Sequence, residues 1–311
     1  MRLIFAGTPE VAVPSLRLLA QEHAVTAVLT RPDAPGKRGK KLYPSPVAQA
    51  AEELGIPVYK TASIRDDATQ EFIRAHAPEA IAVVAYGALV PAEALDIPTH
   101  GWINLHFSLL PAYRGAAPVQ RSLQAGDTEG GVSVFRIDAG LDTGPLLAQQ
   151  THTLPPAAHA GEVLEMLAQA SAPLLSATLR ELAAGTVVAR PQPSDGISHA
   201  PQLTPAEGRV QWGSEAAAIC AHIRGFTPDP GAWTRTSDGV RVKIIHARVA
   251  TRDTAADLPP GAFTLAGKQA VVGTGEGTVE LVTVAPAGKK PMDGAAWLRG
   301  YRGAMSFEVD A

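Results

Sequence analysis

Ala80-Ile81-Ala82-Val83-Val84-Ala85-Tyr86-Gly87 is an apolar run, rich in β-branched residues, that stops at a tyrosine–glycine turn. No polar residue alternates through it. A strand of this kind must be covered on both faces, as in the middle of a parallel sheet flanked by helices. The segments on either side support that reading. Upstream, residues 3–6 form a short apolar strand ending at Gly7, where Thr8 is placed to cap a helix opening at Pro9. Residues 24–29 and 56–59 read as further strands. Between them Ser45-Pro46 opens a helix that Gly55 closes, and residues 66–76 read as another helix. Downstream, a strand over 101–107, a helix over 116–124 and a strand over 132–137 continue the alternation. This βαβα order predicts an α/β fold with a doubly wound sheet. A long helical pattern over 161–182 follows, interrupted by Pro173, which should kink it or split it in two.

The texture then changes. Pro191, Pro193, Pro201 and Pro205, with Gly196 and several Ser and Thr residues, have the composition of a linker. Beyond it a helix over 214–224, capped by Ser214, precedes short strands over 239–249, 261–265, 269–273 and 278–284. Strands at that spacing with Gly-rich turns predict a small barrel or sandwich. The expected organisation is a catalytic α/β domain over 1–189, a linker over 190–206 and a β domain over 207–311.

Composition narrows the function. Among 311 residues, 46% are hydrophobic and 18% charged, which gives ample core and excludes a disordered chain. The net charge of −3 means that any nucleic-acid binding has to come from a local basic patch. Cys220 is the single cysteine, so an intramolecular disulfide and a multi-cysteine zinc site are both excluded. It lies two residues from His222, a spacing at which helical side chains do not face each other, and it reads as buried packing. The N-terminus lacks the apolar stretch and cleavage site of a signal peptide. The apolar run over 80–90 is shorter than the roughly 20 residues that span a bilayer. A cytoplasmic protein with no membrane association is expected. No G-x-G-x-x-G follows the first strand, which argues against a nicotinamide or flavin enzyme.

The chemistry concentrates in Trp102-Ile103-Asn104-Leu105-His106-Phe107-Ser108-Leu109-Leu110-Pro111. Asn104 and His106 are two apart in a strand and share a face, while Ile103, Leu105 and Phe107 take the other. An amide donor and an imidazole thus sit near the C-terminal end of a strand, where open α/β sheets bind ligands. Asp138-Ala139-Gly140-Leu141-Asp142-Thr143-Gly144-Pro145 follows another strand and makes a shaped loop expected at the same edge. Asn, His and Asp in one crevice suit acyl transfer to an amine. The amide and a protonated imidazole stabilise the oxyanion. A carboxylate raises and orients the imidazole and helps collect the proton that the amine loses. Neither a metal nor a serine or cysteine nucleophile is needed. Singly, each residue has an ordinary reading: Asn104 as an edge residue, His106 as a core histidine, Asp138 and Asp142 as turn caps. Spacing alone supports an α/β enzyme of undetermined reaction.

Taken together, Asn104-Leu105-His106, Ser108-Leu109-Leu110-Pro111, Tyr113-Arg114-Gly115-Ala116-Ala117-Pro118 and Gly140-Leu141-Asp142-Thr143-Gly144 resemble the folate-dependent formyltransferases. The likeness extends from Phe5-Ala6-Gly7-Thr8-Pro9 to Pro286-Ala287-Gly288-Lys289-Lys290. It implies a Rossmann-like catalytic domain followed by a small OB-like β-barrel. It also implies formyl transfer from 10-formyltetrahydrofolate, as co-substrate, to the α-amine of methionine charged on its initiator tRNA. Catalysis falls to Asn104, His106 and Asp142. The folate lies against Ser108, Leu109, Leu110 and Pro111, with Tyr86, Gly87, Asp138 and Gly140 around its pterin. No obligate protein partner is implied. Phe107 stands where many relatives carry glycine, and Asp229 where an aromatic is common. Other acceptors, a sugar amine or glycinamide ribonucleotide, and a non-catalytic RNA- or folate-binding role remain as alternatives.

Residues 31–41, Arg-Pro-Asp-Ala-Pro-Gly-Lys-Arg-Gly-Lys-Lys, contain five cations and one carboxylate. By composition this is either a solvated basic loop or one that orders on phosphates. The resemblance implies the second: a loop entering the tRNA acceptor stem through Lys37, Arg38, Lys40 and Lys41, with Arg38 as its key arginine.

Overall fold

A computed structural model describes residues 1–36, 41–251 and 257–309. The chain divides into two compact units, the first made of Met1–Pro118, Gly130–His152 and Leu164–Pro201, the second of Val119–Glu129, Thr153–Val163 and Gln202–Ala311.

In chain order the elements are β1 (Arg2–Gly7), α1 (Val13–Glu22), β2 (Ala24–Thr30), β3 (Ala34–Pro35), β4 (Leu42–Tyr43), α2 (Pro46–Glu53), β5 (Val58–Lys60), α3 (Asp67–His76), β6 (Ala80–Val84), α4 (Ala92–Leu95), β7 (Trp102–His106), α5 (Pro118–Ala125), β8 (Glu129–Arg136), β9 (Leu146–Thr153) and α6 (Ala160–Ala183). Seven of the strands form one sheet in the order β5-β2-β1-β6-β7-β8-β9. The β1–β2, β1–β6, β2–β5 and β6–β7 pairs are parallel. The order reverses direction between β1 and β6, the position where doubly wound sheets open a crevice. All five residues of β6 are buried, as its unbroken apolar sequence requires.

Four local expectations change. Thr8 caps no helix, because its hydroxyl donates to the Tyr86 carbonyl at 2.8 Å and so ties the turn after β1 to the turn after β6. A short 3₁₀ turn over Glu10–Ala12 intervenes before α1. Ser214 likewise caps nothing, because the helix there begins after Glu215. Pro173 does not split α6, which runs unbroken through it. Pro173 and Gln169 are both exposed, so water can reach the Gln169 carbonyl that loses its intrahelical donor. Finally, β8 is antiparallel to β7, with Ile103 opposite Arg136 and His106 opposite Ser133. The end of β8 therefore lies beside the beginning of β7, at the far edge from His106. Ser45 caps α2 as expected, accepting from the Ala48 amide at 3.0 Å.

The second unit adds α7 (Ala216–Phe226), β10 (Ala232–Arg235), β11 (Arg241–Val249), β12 (Phe263–Ala266), β13 (Gln269–Gly273), β14 (Thr278–Pro286), β15 (Met292–Asp293) and α8 (Gly294–Gly300). The strand order is β10-β11-β14-β13-β12, with β15 against β14, and every pair is antiparallel. The last described residues close this sheet on itself. The Phe307 amide donates to Gly261 O at 2.8 Å and the Glu308 amide to Arg235 O at 2.8 Å. One segment thereby bridges the two edge strands, β10 and β12, in a small barrel. Phe307 stacks on Trp212, with ring centroids 5.1 Å apart, and tilts against Phe263 at 4.6 Å. These rings, with Trp297 and the inner faces of the strands, form a buried core.

Candidate functional site

β7 is pinned between β6 and β8, and Asn104 and His106 leave it on one face. Asn104 pairs with Val83 on one side and with Phe135 on the other. It is half-buried, whereas His106 at the strand's end is only 6% exposed. The imidazole is fixed at one nitrogen and faces a carboxylate at the other. Nε2 lies 2.9 Å from the Tyr113 carbonyl, which can only accept, so Nε2 carries a proton. Nδ1 lies 3.8 Å from Asp142 Oδ2.

Asp142 arrives by a route that the sequence did not disclose. Since β8 ends beside Ile103, the loop that follows must travel back along the sheet to reach His106. Its shape is set locally. Asp138 Oδ1 accepts from the Gly140 amide at 3.0 Å and from Thr143 Oγ1 at 2.6 Å. At Gly144 a Cβ would lie 1.8 Å from Arg136 O, so only glycine fits. Asp142 itself adopts a left-handed conformation, φ 53°, unusual for a residue with a side chain. Its Oδ2 accepts from the Gly115 amide at 2.8 Å. Gly115 has φ +126°, and a Cβ there would come within 2.7 Å of Ala200 O.

Burial pushes the His106 imidazole below its ordinary value. The Asp142 carboxylate and the Tyr113 carbonyl oppose that shift without cancelling it. This runs against the expectation of a protonated imidazole: desolvation outweighs the carboxylate and favours the neutral ring. With Nε2–H committed to Tyr113, the Nδ1 lone pair is the group left for chemistry.

Ser108, Leu109, Leu110 and Pro111 follow β7 directly and are held by a separate buried network. Ser133, fully buried on β8, donates to Ser108 O at 2.7 Å and accepts from the Leu110 amide at 3.0 Å. Gln149 on β9 donates to Leu110 O and to Ser133 Oγ, both at 2.9 Å. Ser108 Oγ donates to Ala112 O at 2.6 Å. Tyr86 is 2% exposed and packs within the sheet's core, and burial pushes its phenol up to about 12. Its ring is packed inside, while Ala85 (φ 46°) and Gly87 (φ 81°) on either side of it are exposed. Leu89 and Leu141, on the turns after β6 and β8, are 77% and 53% exposed and offer apolar surface there. Phe107 is buried and adds packing.

Of the tRNA-contact expectations, Lys37, Arg38 and Lys40 lie outside the described residues. Lys41 sits over the Tyr43 ring at 5.3 Å, and β3 pairs antiparallel with β4 at the base of the loop. Asp33 pairs with Lys60 at 2.6 Å, so the loop's one carboxylate is offset from outside it. Cys220 is 8% exposed and its thiol is pushed up to about 12 by burial, which disfavours the thiolate a nucleophile needs. Among the described residues no cluster of His, Cys, Asp or Glu could hold a metal, and no helix is long and apolar enough to cross a membrane.

Sequence reasoning missed Ser133, Gln149 and Gln192, each of which holds a site segment by its backbone. Gln192 donates to Asp142 O at 2.7 Å and to Gly144 O at 2.9 Å. Residues whose partners all lie on distant segments leave no local pattern.

The sequence matches the family model described as formyl transferase over residues 1–179, and that described as formyl transferase, C-terminal domain, over 202–302. It is 53% identical over 302 residues to the methionyl-tRNA formyltransferase of Paenarthrobacter aurescens strain TC1, a match covering 96% of this chain and 97% of that one. It is 50% identical over 304 residues to the methionyl-tRNA formyltransferase of Streptomyces griseus, covering 97% of each. Its backbone is similar to the crystal structure of a sugar 3N-formyl transferase, with a TM-score of 0.68 at 15% identity over 93% of this chain and 99% of that one. At that identity the likeness concerns the fold alone.

Proposed function

The chain belongs to the formyl transferase family, and on that premise we propose that it transfers a formyl group to the α-amine of methionine charged on initiator tRNA. The acceptor rests on half-identity along nearly the whole length to methionyl-tRNA formyltransferases. The donor is 10-formyltetrahydrofolate, which supplies the activated formyl carbon. The reaction belongs to the cytoplasm, where charged tRNA is used.

The observation that carries the chemistry is the imidazole of His106 held between a carbonyl and a carboxylate at the rim of the sheet. Asn104 donates its amide N–H to the oxygen that gains charge as the amine attacks the formyl carbon, and a donor of this kind is worth about 3 kcal/mol. His106 Nδ1 accepts the proton that the attacking nitrogen must lose. Asp142, 3.8 Å away, stabilises the resulting imidazolium. The same proton then passes to the departing nitrogen of the carrier, which leaves His106 neutral again. The segment Ser108, Leu109, Leu110 and Pro111, the turn at Tyr86 and Gly87, and the loop carrying Asp138 and Gly140 hold the folate, while Leu89 and Leu141 give apolar cover. Lys37, Arg38, Lys40 and Lys41 contact tRNA phosphates. We keep 1–189 as the catalytic domain and 207–311 as the tRNA-contacting domain; of the expected linker 190–206, residues 190–201 belong to the first compact unit.

A formylation assay tests the reading. Charged initiator tRNA with 10-formyltetrahydrofolate should give N-formylmethionyl-tRNA. Free methionine, an amino-sugar nucleotide and glycinamide ribonucleotide should react far more slowly. Equal or faster turnover of one of the small amines would overturn the acceptor. Replacing Lys37 and Arg38 by Ala should weaken tRNA binding and reduce the salt dependence of KM by a slope of about 1 for each cation removed.

A further inference from the structure

Residues 192–200 have the composition of a linker, yet they are bonded into the first unit at each point that fixes the imidazole and the carboxylate. Gln192 spans the carbonyls of Asp142 and Gly144 with its amide nitrogen, at 2.7 and 2.9 Å. Its amide oxygen accepts from Arg114 Nε at 3.1 Å and Nη2 at 2.6 Å. The guanidinium can only donate, so it fixes the orientation of that amide and turns Nε2 toward the loop. Ser198 Oγ accepts from the Tyr113 amide at 2.8 Å. Tyr113 in turn presents its carbonyl to His106 Nε2. At and just after Ser198 the backbone pairs with Arg114, whose amide donates to Ser198 O at 2.9 Å and whose carbonyl accepts from the Ala200 amide at 2.7 Å.

Of the three site residues that carry a side chain in a left-handed conformation, the two so held are Asp142 at φ 53° and Tyr113 at φ 61°; the third is Ala85 at φ 46° in the turn after β6. Residues with a side chain rarely adopt this conformation, and it persists only where the surroundings enforce it. The bonds from Gln192 and Ser198 fall on Asp142 and Tyr113 and supply that enforcement.

We propose that residues 192–200 are a positioning strap for the reaction, with Gln192 setting Asp142 and Ser198 setting His106 through Tyr113. This deepens the functional reading above and rests on it. Neither residue touches substrate. Each acts through His106, Gln192 by way of Asp142 and Ser198 by way of Tyr113.

Gln192→Met keeps the side chain's volume and removes both amide functions. Displacing a catalytic group by about 1 Å can cost on the order of 100-fold, so kcat should fall about 10- to 100-fold, with KM for both substrates and the thermal midpoint nearly unchanged. In an Asp142→Asn background the same substitution should add less than a further twofold. Ser198→Ala should lower kcat and shift the His106 titration followed by NMR, and Ser198→Thr should restore both. Wild-type kcat in Gln192→Met, full multiplication of its effect with that of Asp142→Asn, or an unshifted His106 titration in Ser198→Ala would each overturn the strap. Wild-type turnover is measured first. Its absence would remove the functional reading, and the NMR titration, which needs no turnover, would still decide the strap.

Discussion

In the first unit a buried imidazole is held by a directed bond to the Tyr113 carbonyl and faces, 3.8 Å away, a carboxylate that the Gly115 amide anchors. In the second unit Trp212, Phe263, Trp297 and Phe307 are held by contact between rings, around the segment that closes the barrel. The two regions are buried to a similar degree and serve opposite ends. Ring contact is broad and forgiving of direction, so the second region stores stability. A hydrogen bond is narrow in distance and angle and adds little net stability, so the first stores position.

That contrast predicts a separation of effects. The largest is expected from Phe307→Ala, which removes the ring that stacks on Trp212 at the closure. About 3–5 kcal/mol of stability should be lost, as for other buried aromatic truncations, read from urea unfolding. The molecules that remain folded should keep their kcat. A variant of unchanged stability but lowered kcat would break the comparison. Next comes Asn104→Ala, expected to lower kcat by about 100- to 1000-fold through loss of an oxyanion donor, with the unfolding midpoint little altered. A loss confined to KM would deny Asn104 its role.

A smaller effect concerns protons. Burial lowers the imidazoles of His23, His106 and His222 in the folded protein. Above the ordinary imidazole value of 6.5, folded and unfolded chains are both neutral at these positions. Below it the unfolded chain takes up protons that the folded one resists. Stability should therefore decline as pH falls from about 6.5 through the lower folded values. His222 stacks on Phe226 at 4.4 Å in the second unit, so His222→Phe keeps the ring contact and removes one proton site. Thermal unfolding between pH 8 and pH 5 should show a shallower decline in that variant, and a steeper one would contradict the sign. The smallest effect is expected at Cys220. With its thiol pushed up to about 12, it should resist iodoacetamide at pH 8 until the protein unfolds, and Cys220→Ala should leave kcat unchanged. Rapid alkylation of the native protein would show the second unit to be looser than its ring contacts imply.

Much of this molecule could be read along the chain. The apolar run at β6, the Ser45 cap and the alternation of strands and helices follow from period and local chemistry, which act over a few residues. Asn104 and His106 share a face because strand geometry places alternate residues together. The family likeness of the motifs from Asn104 to Gly144 supplied the third member, Asp142, and the donor and acceptor. Other features were hidden. β9 is half polar and reads as loop until β8 pairs with it. β10, β15 and α8 are short and carry little periodic signal.

What the sequence determined alone is therefore local: which segments are strands, where glycine is obligatory, which side chains share a face. Tertiary structure decided the rest. It turned β8 antiparallel, drew the Asp142 carboxylate back across the sheet, took the Thr8 hydroxyl for Tyr86 and made a proline-rich stretch into a strap. It also favoured the neutral form of His106, because the desolvation of a buried ring exceeds the pull of a carboxylate 3.8 Å away. Each of these outcomes depends on a partner distant in the chain, and a backbone carbonyl or a low-dielectric surrounding has no residue type by which it could be read in advance.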